Sequence, residues 1–183
     1  LSAALHAAGA VAMGTDMVMK GEVSSAFCAV RPPGHHATPR RPMGFCIFNN
    51  VYIAAQDALA NGAERVLVVD YDAHHGNGTQ SIFYERSDVL TVSIHANPLN
   101  FYPFYWGYPR EKGAAEGIGF NHNLPLSVGA GNDAWLEALE DAMGKVREFA
   151  PGALVVAVGF DAHEADPLQG GTVTTEAYGD MAA

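Results

Sequence analysis

Short apolar runs alternate with longer stretches of helical period along the chain. Ala26-Phe27-Cys28-Ala29-Val30, Val66-Leu67-Val68-Val69, Val89-Leu90-Thr91-Val92-Ser93 and Ala153-Leu154-Val155-Val156-Ala157-Val158 are short, mainly apolar runs. The first reads as a buried-strand candidate, the second, β-branched and continuous, as a strand covered on both faces, and the other two as a third and a fourth strand. Between them, Asn49 or Asn50 can cap a helix through Ala60 that Gly62 ends. Asn132 can cap another through Phe149, with Trp135, Leu136, Leu139, Met143 and Val146 on one face. Residues 1–19 read as a small-residue surface helix. They hold Ser2, His6 and Asp16 and lack a basic leader, so neither a signal peptide nor a membrane span is expected. Residues 95–119 read as a long irregular stretch. The pattern predicts an α/β domain with a mainly parallel sheet.

In such sheets ligands sit beyond the carboxyl ends of the strands, and that is where the polar clusters fall. Val30 is followed by Arg31-Pro32-Pro33-Gly34-His35-His36. Val69 is followed by Asp70-Tyr71-Asp72-Ala73-His74-His75-Gly76-Asn77-Gly78. Val158 is followed by Gly159-Phe160-Asp161-Ala162-His163-Glu164-Ala165-Asp166-Pro167. These clusters should converge on one site.

Asp72 and His74 are two apart, so in an extended segment they point the same way. Together they make half a metal site, and a third ligand must come from another strand end. Asp166 is the first choice and His163 its rival, while Asp161 suits a tie to loop backbone. An Asp-His-Asp set suits Zn²⁺, with Fe²⁺ also compatible, and leaves a position open for catalysis. His35 and His36 cannot easily share one metal, but each can take a separate proton-transfer role. Asp70 and Asn77 are natural partners for their second ring nitrogens. An Asp partner favours imidazolium and an Asn orients without adding charge, so the two rings should differ in basicity. His75 reads as support for a strand end, and His95 as a candidate to line the pocket.

Composition narrows the partners. The 183 residues carry 10 Lys+Arg against 20 Asp+Glu, a net charge of −10, which disfavours nucleic acid and attracts cationic molecules. Cys28 and Cys46 are too few for a disulfide framework, so a reducing, cytoplasmic setting is expected. The chain opens on Leu1 and stops in mid-pattern, as a piece of a larger domain would; nothing in it opposes a homo-oligomer.

Arg31-Pro-Pro-Gly-His-His-Ala37, Gly44-Phe-Cys-Ile-Phe-Asn-Asn50, Asp70-Tyr-Asp-Ala-His-His-Gly-Asn-Gly78 and Gly159-Phe-Asp…Asp166-Pro167 together resemble the zinc-dependent histone deacetylase/acetylpolyamine amidohydrolase family. The resemblance runs from about residue 20 to the C-terminus. It implies an arginase-like three-layer α/β fold, incomplete at both ends, with residues 1–183 as the central part of one catalytic domain. It also implies hydrolysis of an N-acetyl amide to acetate and an amine. Carried over by position, Asp72, His74 and Asp166 would bind zinc, and His36 would be the general base. His35, paired with Asp70, would be its electrostatic or acid partner. Gly34 and Phe45 would line the substrate tunnel. Asp70, Asp72, His74, Ser93 and Ile94 would form a structural K⁺ site. Asn77 stands where many members have Asp. The family's transition-state tyrosine, in a Gly-Gly-Tyr motif, has no counterpart: Gly170-Gly171 is followed by Thr172, and Tyr178 falls in a helix-like stretch. Phe101-Tyr-Pro-Phe104 within residues 97–108 looks like the acetylpolyamine members, and aromatic rings suit an alkylammonium chain. An acetylated small cationic amine is therefore the expected substrate. Acetyl-lysine protein is the alternative, and a catalytically silent metal-binding relative is the reading from another class.

Overall fold

The structure is a computed structural model and describes residues 1–182. Its elements run α1 (Ser2–Met19), α2 (Asn50–Ala60), β1 (Val66–Asp70), α3 (Asn77–Phe83), β2 (Val89–Ala96), β3 (Asn121–Leu126), β4 (Ala130–Gly131), α4 (Asn132–Phe149), β5 (Ala153–Ala157), β6 (Gly171–Thr172) and α5 (Thr175–Ala182). Four strands form a parallel sheet in the order β3-β2-β1-β5, and β4 and β6 make a separate parallel pair.

The sheet is sandwiched because its strands are apolar on both sides. Leu67, Val69, Leu90, Val92 and Ile94 pack with Trp135, Ala138, Ala142 and Phe149 of α4 and with Ala177 and Met181 of α5. Val66, Val68 and Val89 face the opposite way, onto Val51, Ala55 and Ala58 of α2 and Phe83 of α3. The period-2 alternation of β1 thus serves two cores, giving the three layers. Among the described residues no helix is long and apolar enough to cross a membrane.

The chain order sets the crevice. From β1 it steps outward through β2 to β3, then returns with β5 on the other flank of β1. The loops after β1 and β5 therefore diverge at the point where strand order reverses, the place an open α/β sheet leaves for a ligand.

Two expectations fail. Residues 26–30 form no strand: they run extended and mostly exposed, with Phe27 at 74%. These residues pair with no strand; Cys28 lies over α1 instead, its Sγ 3.7 Å from the Ala10 carbonyl. The fourth strand forms as β5, with Leu154 59% exposed on its open face. Asn132 is not a cap: it is the first helical residue of α4, and its Oδ1 accepts the Thr174 N–H at 2.9 Å, tying α4 to the start of α5. The Asn49 cap of α2 is present, its Oδ1 accepting the Tyr52 N–H at 2.8 Å.

Candidate active site

β1 ends at Asp70, and the segment beyond it carries the first half of the site. The Asp72 N–H donates to Asp70 Oδ1 at 3.2 Å, and the His74 N–H donates to Asp72 Oδ1 at 2.8 Å. Each acidic side chain thus folds the backbone two residues on, as Asx turns do. Asp161, from the loop after β5, closes the group. Its Oδ1 accepts the Ala73 N–H at 2.9 Å, and its Oδ2 stands 2.7 Å from His74 Nδ1. Asp72 Oδ1 is 3.1 Å from the same nitrogen. Ligand atoms of Asp72, His74 and Asp161 all lie within 4.8 Å of one another.

Asp166 is not part of this group. After β5 the chain makes successive turns, with His163 N–H on the Phe160 carbonyl, Asp166 N–H on that of His163 and Gln169 N–H on that of Asp166. They carry Asp166 past the site, where its Oδ1 accepts the Leu168 N–H at 2.9 Å. His163, the other rival, faces Thr175 and stacks on Tyr178. The glycine before Asp161 is the signal that marks its position: a Cβ on Gly159 would come within 2.1 Å of Asp72 Oδ2. Only a bare backbone lets the two strand ends close together there.

The donor set fits a metal ion. One imidazole nitrogen carries at most one proton, yet His74 Nδ1 faces two carboxylate oxygens. Two carboxylates and one imidazole, three protein ligands in all, match the open-position pattern of a catalytic zinc. The two carboxylates make this point favourable to positive charge. Burial works against a charged His74, but Asp161 and Asp72 outweigh it and raise the ring to about 9. Burial likewise opposes ionisation of Asp72, and His35 and His74 overcome it, holding the carboxyl below its usual range.

The histidine pair is held by a loop pinned at both flanks. Thr79 N–H donates to the His35 carbonyl at 3.0 Å, Asn49 Nδ2 to the Ala37 carbonyl at 3.0 Å, and Asn50 Nδ2 to the Pro32 carbonyl at 3.2 Å. The two rings lie 4.0 Å apart between centroids. His35 Nδ1 donates to Asp70 Oδ2 at 2.8 Å, and His36 Nδ1 donates to Asn77 Oδ1 at 2.7 Å. Their basicities diverge accordingly. Burial lowers both, but the carboxylates of Asp70 and Asp72 reverse this for His35, which rises to about 9. His36 has no such partner; burial and the His35 charge lower it to about 3. One ring is therefore a cation and its neighbour a neutral base at the same pH.

Gly34 packs against α2, where a Cβ would meet Asn50 N at 2.3 Å. Phe45 has a positive φ of 63° and is 93% exposed, displayed at the surface. Ser93 neighbours Asp70 across the β1–β2 register, and its Oγ contacts His95 Nδ1 at 2.9 Å. His95 itself is fully buried and donates through Nε2 to the Gly107 carbonyl at 3.0 Å, so it does not line the site. Two residues of the irregular stretch do flank it. Phe101 stacks on His74 at 4.7 Å, and Tyr102 meets His36 edge-on at 4.9 Å.

Residues 1–183 match the histone deacetylase domain. The chain belongs to the histone deacetylase domain family. It is 46% identical over 165 residues to acetylpolyamine amidohydrolase 1 of Pseudomonas aeruginosa, covering 90% of this chain and 48% of that protein. It is 43% identical to histone deacetylase 15 of Arabidopsis thaliana, covering 98% of this chain and 33% of that one. The crystal structure of an acetylpolyamine aminohydrolase from Burkholderia pseudomallei superposes with a TM-score of 0.92 at 45% identity, over 96% of this chain and 51% of that one. The chain thus spans about half the length, or less, of the curated relatives it matches. The arginase/deacetylase-like α/β fold is that of this histone deacetylase family, here with a four-stranded parallel part of its sheet.

Proposed function

We propose that the protein is a zinc-dependent amidohydrolase that removes acetyl groups from acetylated amines, acetylpolyamines first among them. Residues 1–183 form the central part of its single catalytic domain. The observation that carries this is the Asp72–His74–Asp161 cluster beside two histidines of opposite basicity. The acetylpolyamine amidohydrolase relatives support the substrate class.

Asp72, His74 and Asp161 would hold the metal, which when bound supplies a Lewis acid for the amide carbonyl and lowers the pKa of water. The chain's own residues do the proton work. His36 commits Nδ1–H to Asn77, so its Nε2 lone pair is free to accept a proton from the attacking water. Burial and the neighbouring His35 charge keep it neutral for that task. His35, charged against Asp70, stabilises negative charge as the carbonyl carbon becomes tetrahedral. When the C–N bond breaks, the departing amine takes the proton from the histidine pair. Phe101, Tyr102 and Phe45 wall the path of the alkyl chain, and an ammonium at its far end suits aromatic faces and the chain's −10 charge. Asp70, Asp72, His74, Ser93 and Ile94 would hold a K⁺ behind the site. A cytoplasmic setting suits the free thiols Cys28 and Cys46.

The histone deacetylase 15 relative favours a second reading, acetyl-lysine in protein as the substrate. Parallel assays of the full-length protein on N-acetylputrescine and an acetyl-lysine peptide decide between them. Higher kcat/KM on the polyamine is expected, and clear preference for the peptide overturns the first reading.

A further inference from the structure

The segment between β2 and β3 carries Phe101 and Tyr102 onto the site, yet its far half is fixed by a polar network on the other side of the sheet end. A single oxygen, Glu111 Oε2, accepts both the Gly107 N–H at 2.9 Å and Gln80 Nε2 at 2.8 Å. Gln80 Oε1 accepts from Asn121 Nδ2 at 2.9 Å and from Asn123 Nδ2 at 2.8 Å. Asn121 also donates to the Glu111 carbonyl at 2.7 Å, and His95 to the Gly107 carbonyl at 3.0 Å. Gln80, His95, Asn121 and Asn123 are all buried. Four polar side chains have been taken out of water, with Glu111 half-buried beside them, a cost recovered only if every donor finds its acceptor. What they grip is the backbone at residues 107–111.

That grip reaches the site through one further bond. Tyr108 Oη donates to the Phe104 carbonyl at 2.9 Å, and the Phe104 ring meets Tyr102 at 6.1 Å. Tyr102 and its neighbour Phe101 lie against His36 and His74.

We infer that Glu111 is a positioning residue: by fixing Gly107 and Tyr108 it sets where Phe101 and Tyr102 stand over the active site. The role rests on the acetylated-amine reading for its kinetic consequence, but not for its structural one. Because one oxygen takes both bonds, the amide of glutamine keeps the acceptor and loses only the charge. Alanine leaves the Gly107 N–H and Gln80 Nε2 without a partner.

The test compares full-length wild type, Glu111→Ala and Glu111→Gln by three readouts. With N-acetylputrescine, Glu111→Ala is expected to raise KM about tenfold or more with a smaller change in kcat, as loss of uniform binding does. Bound zinc per chain stays at the wild-type ratio. Chymotrypsin cleavage mapped by mass spectrometry accelerates after Phe101, Phe104, Tyr105 and Trp106, the aromatic residues of the segment that no proline follows, and nowhere else. Glu111→Gln restores KM and cleavage rate together. The inference is overturned if Glu111→Ala keeps wild-type KM and cleavage, if Glu111→Gln is as impaired as Glu111→Ala, or if Glu111→Ala loses zinc and is cut throughout the chain. Should wild type fail to hydrolyse the amide, the functional reading falls, and the confined, Gln-rescued cleavage alone upholds or overturns the role of Glu111.

Discussion

Asp161 divides its two oxygens between fold and chemistry. Oδ1 accepts the Ala73 N–H, and Oδ2 meets His74 Nδ1 at 2.7 Å. Asp166 spends its Oδ1 on a turn of its own loop. The two carboxylates therefore respond differently to removal. Asp161→Ala is expected to lower zinc affinity by more than the roughly 10–100-fold typical of losing an outer hydrogen-bond partner. Asp166→Ala keeps stoichiometric zinc. Zinc titration of both variants checks this, and zinc lost from the Asp166 variant alone would remove Asp161 from the site. Asp72, His74, His35 and His36 were legible because each lies within a few residues of a strand end or in a fixed pair. Their partners Asp70 and Asn77 follow from the same short segment. The third carboxylate was not legible from spacing, because the turns between Asp161 and Asp166 are set by backbone hydrogen bonds that no side-chain period reports. The same limit left Phe101 and Tyr102 legible as substrate-side aromatics but not as rings set against His74 and His36.

Elements with a strong period were read closely from sequence, and those whose existence depends on a neighbour were not. α2, α4, β1 and β2 have continuous apolar faces that meet packing on both sides of the sheet. β3, by contrast, is Asn-His-Asn-Leu-Pro-Leu, a run no apolar pattern marks, and it forms because β2 offers a free edge from Thr91 to Ala96. Residues 26–30 show the converse, an apolar run left unpaired. Asn49 joins elements in a way periodicity anticipates only in part. It caps α2 through Oδ1, while its Nδ2 reaches the Ala37 carbonyl at 3.0 Å and Thr79 Oγ1 at 3.3 Å. Asn49→Ala removes the cap and strands the buried Ala37 carbonyl beside the histidine pair. A stability loss of about 1–3 kcal/mol is expected from the two effects together. Urea unfolding checks it, with the exposed Glu137→Ala on α4 as the control near zero. A loss no larger than the control's would mean that the loop does not depend on this side chain.

At the scale of the whole molecule, the 20 acidic against 10 basic side chains would act on the proposed cationic substrate before any contact forms. A long-range field changes encounter rate rather than chemistry, so it should appear in kcat/KM and not in kcat. It should also fade as salt shortens the screening length from about 30 Å at 0.01 M to about 8 Å at 0.15 M. N-Acetylputrescine keeps one ammonium, whereas N-butylacetamide has similar length and none. Over that salt range kcat/KM for the cationic amide is expected to fall several-fold, up to about tenfold, while that of the neutral amide stays level. The difference isolates charge from shape, because on the proposed path both chains would pass the same aromatic walls. Equal salt dependence for the two amides would show that the acidic surface plays no part in substrate capture, and that discrimination lies in the contacts around Phe101 and Tyr102 alone.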